Sequence, residues 1–109
     1  MDPRRPLLAD NLLLIERELR QQGWWDVAPP SAQALASDAP FCVDSLALEQ
    51  WLQWVLLPRM GALLAAGGAL PSASGIQAMA ELAFAERLPQ AGRLLTALGE
   101  FDRLMQARF

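Results

Sequence analysis

The chain has 109 residues, 53% of them hydrophobic, and its nine basic and twelve acidic residues leave a net charge of −3; this is enough apolar material for one self-supporting domain without disulfide or metal staples. The basic residues are all arginines scattered among carboxylates, which excludes the concentrated positive face of a nucleic-acid binder. Histidine, lysine and tyrosine are absent and Cys42 is the single cysteine, so most general bases other than carboxylates, the common zinc ligand sets and internal disulfides are excluded as well.

Leu8, Leu12, Ile15 and Leu19 recur at helical spacing, with Glu16 four residues before Arg20, and predict an amphipathic helix over 7–22 stopped by Gly23. Residues 1–6, with two prolines around Arg4 and Arg5, read as a loose terminus. The stretch 24–43 holds three prolines and no long periodicity. It also carries Trp24, Trp25, Val27, Leu35 and Phe41, too apolar for a free linker, so an ordered and packed connection is expected, with Ser31 capping a short turn through Leu35 and Ala36.

A second helix is expected over 45–66, capped by Asp44 or Ser45, bent by Pro58 and ended by Gly67 and Gly68. A third comes after Pro71 and Ser74 and carries Ile76, Met79, Leu82 and Ala83 to about residue 86. The fourth opens at Pro89 and repeats Leu94, Leu98, Phe101 and Met105, with Arg103 and Arg108 suited to its C-terminal end. No run alternates with period two, so the fold class is all-α. The predicted architecture is an antiparallel four-helix bundle, one domain over 1–109, with a long packed connection between its first two helices. Residues 60–80 are uncharged, but Gly67, Gly68, Pro71 and Gly75 break that run, and no membrane span is expected. With no secretory leader legible at the N-terminus, a cytoplasmic protein is expected.

The second helix is unusual in being apolar on two sides. On a wheel of about 100° per residue, Leu48, Trp51, Leu52, Val55, Leu56 and Leu63 form one side, enough for a bundle core. Leu46, Trp54, Leu57, Gly61 and Leu64 fall opposite, softened only by Gln50 and Gln53. A bundle would expose that side, so something must cover it: residues 24–43, or a partner, which would be a second copy or another protein. The same wheel puts Arg59 among the core residues, where an unpaired guanidinium is too costly. Either the bend at Pro58 turns it outward, or it bonds the carbonyls that Pro58 frees, or it pairs with a carboxylate. The interaction candidates are therefore Trp54, Leu57, Arg59 and Leu64. Trp24, Trp25, Phe41, Asp44, Trp51 and Pro58 have structural explanations as packed rings, cap and kink. Cys42, ahead of a helix start, has a reactive reading, but a lone cysteine in apolar sequence is more often a small packed residue.

The run WLQWVLLPRM over 51–60, with Gly23-Trp24-Trp25 upstream and Ala69-Leu70-Pro71 downstream, is similar to the YqcC family of small bacterial proteins, and the resemblance spans nearly the whole chain. It implies an all-α domain and, because genes of that family commonly lie beside one for a tRNA pseudouridine synthase, an association with that enzyme. It does not imply the activity. Such synthases use a catalytic aspartate within a much larger mixed sheet domain, for which this chain has neither the length nor the strands.

Three functional readings are open: a non-enzymatic protein–protein interaction module, an accessory of the tRNA-modifying enzyme, and a helical pocket for a small apolar ligand lined by Trp51, Met60 and Met79. No phosphate loop, catalytic set, cofactor site or metal site is legible, and no direct nucleic-acid binding is expected.

Overall fold

The computed structural model describes residues 3–70 and 74–106. Its first helix, α1, spans Arg4–Gln21 and buries Leu8, Leu12, Ile15 and Leu19, the spacing that predicted it. It starts three residues earlier than the apolar repeat suggests, and the terminus expected to be loose is instead tied down from Arg4 onward. Arg4 Nη1 donates to the carbonyls of Leu104 and Met105, both at 3.3 Å, and Arg5 Nη2 donates to the carbonyl of Gly68. These acceptors lie at the ends of two other helices, where carbonyls lack helical donors and a cation is favoured. Gly23, with φ 76, ends α1, because Trp24 N–H returns to Leu19 O at 2.9 Å in a turn that needs a left-handed residue.

Helix α2 is the short turn Ala32–Leu35, capped as expected by Ser31 Oγ, which accepts from Ala34 N–H at 3.1 Å. A 3-10 turn over Pro40–Cys42 comes next. The long helix α3 then runs over 48–66, three residues shorter at its start than expected, and neither Asp44 nor Ser45 caps it. Asp44 Oδ1 instead accepts from Ser37 Oγ, and Ser45 Oγ donates to Ala34 O at 2.7 Å, so both fasten the preceding connection to itself. The free N–H at the helix start, that of Ala47, is met by Gln50 Oε1 at 2.9 Å. Gly67, with φ 68, ends α3 as Gly68 N–H bonds Leu63 O at 2.9 Å.

Pro58 is accommodated by a π turn over Leu52–Leu56, in which Leu57 N–H bonds Leu52 O, five residues back. Residues four apart on an ordinary α-helix drift by about 40° per step, so Leu48, Leu52, Leu56 and Met60 would fan over about 120°. The extra residue in the wide turn cancels much of that drift, and all four are buried in one core. Everything beyond the turn is rotated from its position on the ideal wheel. Arg59 therefore lies exposed, turned outward by the wide turn, while Trp51 and Val55 are only half-buried.

Helix α4 spans Ile76–Ala83 and stops short of residue 86, its chain passing through a 3-10 turn at Ala85–Arg87 into α5, Leu88–Gln106. Its buried stripe is Ile76, Ala80 and the fully buried Phe84, with Met79 half-buried; Leu82 points away and is 77% exposed. Pro71 and Arg108 lie outside the described residues. Gly75 precedes α4 without a side chain to cap it, and Asp102 of α5 does so from across the interface. Its carboxylate accepts from Ile76 N–H at 3.0 Å, Gln77 N–H at 2.8 Å and Ser74 Oγ. Gln77 reaches Leu95 O at 3.1 Å across Gly99, where even a methyl group would meet the Gln77 amide.

The fold is all-α, with no strand among the described residues. Helix α1 is central and packs on α5 and on α3, while α5 also takes α4. The bond from Asn11 Nδ2 to Ala97 O at 3.0 Å, together with those from Arg4, sets α1 antiparallel to α5. On the outer surface of α5, Arg103 hydrogen-bonds Glu100 and holds its carboxyl below the usual carboxylate range, an exposed pairing that adds little to stability.

The connection between α1 and α3 is fastened at both ends. Near its start, Gln53 of α3 pairs with the backbone of Asp26, accepting from its N–H and donating to its carbonyl, each at 2.8 Å. Gln50 Nε2 adds a bond to the Asp26 carboxylate at 3.3 Å. Trp24 stacks on Phe84 at 5.0 Å, with Arg87 4.3 Å over its ring and held there by Glu49 at 2.9 Å. Near its end, Phe41 meets the edge of Trp51 at 4.9 Å. The connection is ordered as expected, but of the apolar residues that were to pack it Val27 stands fully exposed.

These non-local bonds set the cost of two substitutions. Asp102→Ala leaves the start of α4 uncapped and is expected to cost about 1–3 kcal/mol in a urea melt, with Asp102→Asn recovering part of the loss. Gln53→Ala strands the Asp26 N–H and carbonyl together and is expected to cost about 2–3 kcal/mol. Gln53→Glu, which keeps acceptors but loses the donor, should fall between Gln53→Ala and wild type.

Candidate functional site

The second apolar side of α3 divides into two regions. Over the first two turns the connection lies against it, through Gln53, Gln50 and Asp26 on one flank and Phe41 on the other. Trp54 sits between these flanks, half-buried, with its indole N–H enclosed and without an acceptor among the described residues. On one side of Trp54 is a cleft of about 640 Å³ shared with Trp25, Val27 and Leu57. On the other is a cleft of about 660 Å³ that includes Phe41, Cys42, Trp51, Pro58 and Arg59.

Beyond Pro58 the connection no longer reaches. Gly61 and Leu64, with Leu57 shared with the 640 Å³ cleft, face α1 instead, across a groove of about 360 Å³ whose other wall is Ala9, Leu12, Leu13 and Glu16. Leu13 is 67% exposed, a large aliphatic side chain at the rim of an apolar groove. Gly61 keeps the floor of the groove low, with nothing within 4 Å of where a Cβ would stand. A helix or extended segment bearing apolar side chains fits such a surface.

Of the residues singled out in the sequence, the structure brings Leu57 and Leu64 together in this groove and places Trp54 and Arg59 on the neighbouring clefts. Trp25 packs under Arg20, whose guanidinium carbon is 4.4 Å from its ring. The apolar pocket that the third reading would build from Trp51, Met60 and Met79 is not assembled. Met60 is buried in the core, Met79 lines a separate cavity of about 210 Å³ with Leu46 and Phe41, and Trp51 turns to the 660 Å³ cleft. Cys42 is buried, and the helix start that would activate it begins at Leu48, well past it.

Sequence reasoning missed Gln53 and Leu13 as organising residues. Gln53 could have been found, since a glutamine inside an otherwise apolar face calls for a specific partner. Leu13 could not, because the α1 stripe is complete without it. Among the described residues no group of carboxylates and thiol is placed to hold a metal ion, and no helix is long and apolar enough to cross a membrane.

Residues 7–104 match the model of a family of unknown function whose description reads tRNA pseudouridine synthase C. An uncharacterised protein of Haemophilus influenzae is 41% identical over 86 residues, 79% of this chain and 80% of that one. The uncharacterised protein YqcC of Escherichia coli K12 is 36% identical over 93 residues, 85% of each chain. The solution NMR structure of YqcC from E. coli superposes with a TM-score of 0.85 at 31% identity, covering 99% of this chain and 94% of that one. A chain of Pectobacterium carotovorum named tRNA pseudouridine synthase C is 48% identical over 64 residues, 59% of this chain but 17% of that longer one. With a family model spanning most of its length and full-length relatives sharing its fold, the chain belongs to the YqcC family.

Proposed function

We propose that this protein is a non-enzymatic interaction module that docks on a tRNA pseudouridine synthase as an accessory, through the groove between α1 and α3. The observation that carries the reading is the groove itself: Leu57, Gly61 and Leu64 form an apolar strip that the connection leaves uncovered, opposite the exposed Leu13. Burying such a strip is favourable, and apolar patches of this kind mark interaction surfaces. The Pectobacterium chain supports the choice of partner, because the segment like this one lies within a longer polypeptide, 17% of which it matches, that bears the enzyme's name. Joining a module to its partner in one chain replaces encounter by a high local concentration, an arrangement suited to parts that work together.

The residue types argue against catalysis here, since histidine, lysine and tyrosine are absent. They also argue against independent tRNA binding. Arg20, Arg87 and Arg103 are paired with Glu16, Glu49 and Glu100, and the net charge is −3. On this reading the four longer helices act as a small antiparallel bundle in the cytoplasm, and the groove between α1 and α3 is its working face.

Co-expression with the tRNA pseudouridine synthase C of the same host, followed by sedimentation velocity, tests the proposal. A complex is expected that Leu13→Arg and Leu64→Arg each weaken at least about tenfold, the loss of a central apolar anchor, while circular dichroism stays unchanged. Absence of a complex overturns the reading. So does a self-associated dimer that the same substitutions dissociate, because a second copy would then occupy the groove. In filter binding the protein alone is expected to show no salt-sensitive retention of tRNA.

A further inference from the structure

The cleft of about 660 Å³ between residues 35–42 and α3 is separate from the groove assigned to the enzyme partner, and three observations converge on it. Its walls carry three aromatic rings, Phe41, Trp51 and Trp54, beside Val55 and Pro58, and among the described residues Arg59 is the only charged one lining it. Arg59 is exposed and has no ion pair or hydrogen bond among the described residues, unlike Arg20, Arg87 and Arg103. The backbone on both sides is irregular. Phe41 and Cys42 on one wall both have left-handed φ, 58° and 51°, which is uncommon and costly for side chains of that size. On the other wall runs the π turn, where Leu57 N–H passes over Gln53 O to reach Leu52 O, and Pro58 has no N–H for the carbonyl of Trp54. Strained φ values and π turns are concentrated at functional sites. The volume is that of an ordinary small-molecule site.

We infer that this cleft binds a planar aromatic ligand carrying an anionic group, its ring against Phe41, Trp51 and Trp54 and its anion on Arg59. The chemistry comes from the walls. Aromatic rings favour a flat apolar partner by stacking or edge contact, and a guanidinium with no partner of its own favours an oxyanion that it can hold through two N–H groups. An apolar ligand without charge would leave Arg59 unused. A cation would be repelled by it. Two sources offer the shared chemistry: an aromatic carboxylate, or a nucleotide with base and phosphate.

Titration monitored by 15N heteronuclear NMR tests the inference, using naphthalene-2-carboxylate, its uncharged carboxamide and adenosine 5′-monophosphate as probes. The carboxylate is expected to shift the indole N–H signals of Trp51 and Trp54 saturably and to bind about tenfold tighter than the carboxamide, the worth of a charge-assisted hydrogen bond. Arg59→Gln, an exposed position whose substitution leaves the fold intact by circular dichroism, is expected to abolish that tenfold difference. Saturable binding of the nucleotide with the same dependence on Arg59 identifies a nucleotide as the source; its absence beside carboxylate binding identifies an aromatic acid. The inference is overturned if no probe gives saturable shifts at these indoles. It is equally overturned if carboxylate and carboxamide bind alike, or if Arg59→Gln leaves their difference intact.

Discussion

Pro58 has no N–H to give to the carbonyl four residues before it, and one turn earlier α3 takes an extra residue into the stretch Leu52–Leu56, where Leu57 bonds Leu52. The wide turn keeps Leu48, Leu52, Leu56 and Met60 in line against α1 and the rest of the core. It also rotates the C-terminal half of the helix, so that Arg59 leaves the core and Leu57, Gly61 and Leu64 face the groove beside α1.

Because α3 is apolar on two sides, its outer side has to be covered or used. The connection covers the first half of it, and covers it with polar bonds as well as rings: an amide pairing between Gln53 and Asp26 at one end, Phe41 on Trp51 at the other. Those bonds matter because ordering a long segment with little regular structure costs backbone entropy at every residue. Glu49, Arg87, Trp24 and Phe84 then tie the same segment to the start of α5, so that one ion pair and two rings join three parts of the chain. The second half of the outer side stays open as the groove.

The features legible in the sequence are local. The stripe Leu8, Leu12, Ile15, Leu19 gives α1, Gly23 and Gly67 stop two helices through left-handed turns, and Ser31 caps the short α2, all from neighbours within a turn or two. The division of α3 into two apolar sides is legible as well. The features that escape depend on distant parts of the chain or on a departure from ideal geometry. The wheel assumes a constant turn, so it misplaces Arg59 and leaves Met60 off the core side. Asp44 has the right chemistry for a cap, but Ser37 competes for it; α4 is capped by Asp102, twenty-six residues from Ile76, a pairing no local pattern reveals. Leu82 fits the periodicity of α4, yet Phe84, two residues on, takes the core position as the helix tightens into its final turn.

The register of α3, and with it the groove and the cleft, thus turns on the wide turn over Leu52–Leu56. Scalar coupling across hydrogen bonds, read in a long-range HNCO experiment on labelled protein, reports directly which carbonyl accepts from which N–H. A correlation between the Leu57 amide nitrogen and the Leu52 carbonyl carbon is the expected result. A correlation from Leu57 to Gln53 would show an ordinary α-helical turn before Pro58, and with it the register of Arg59, Met60 and the groove would have to be redrawn.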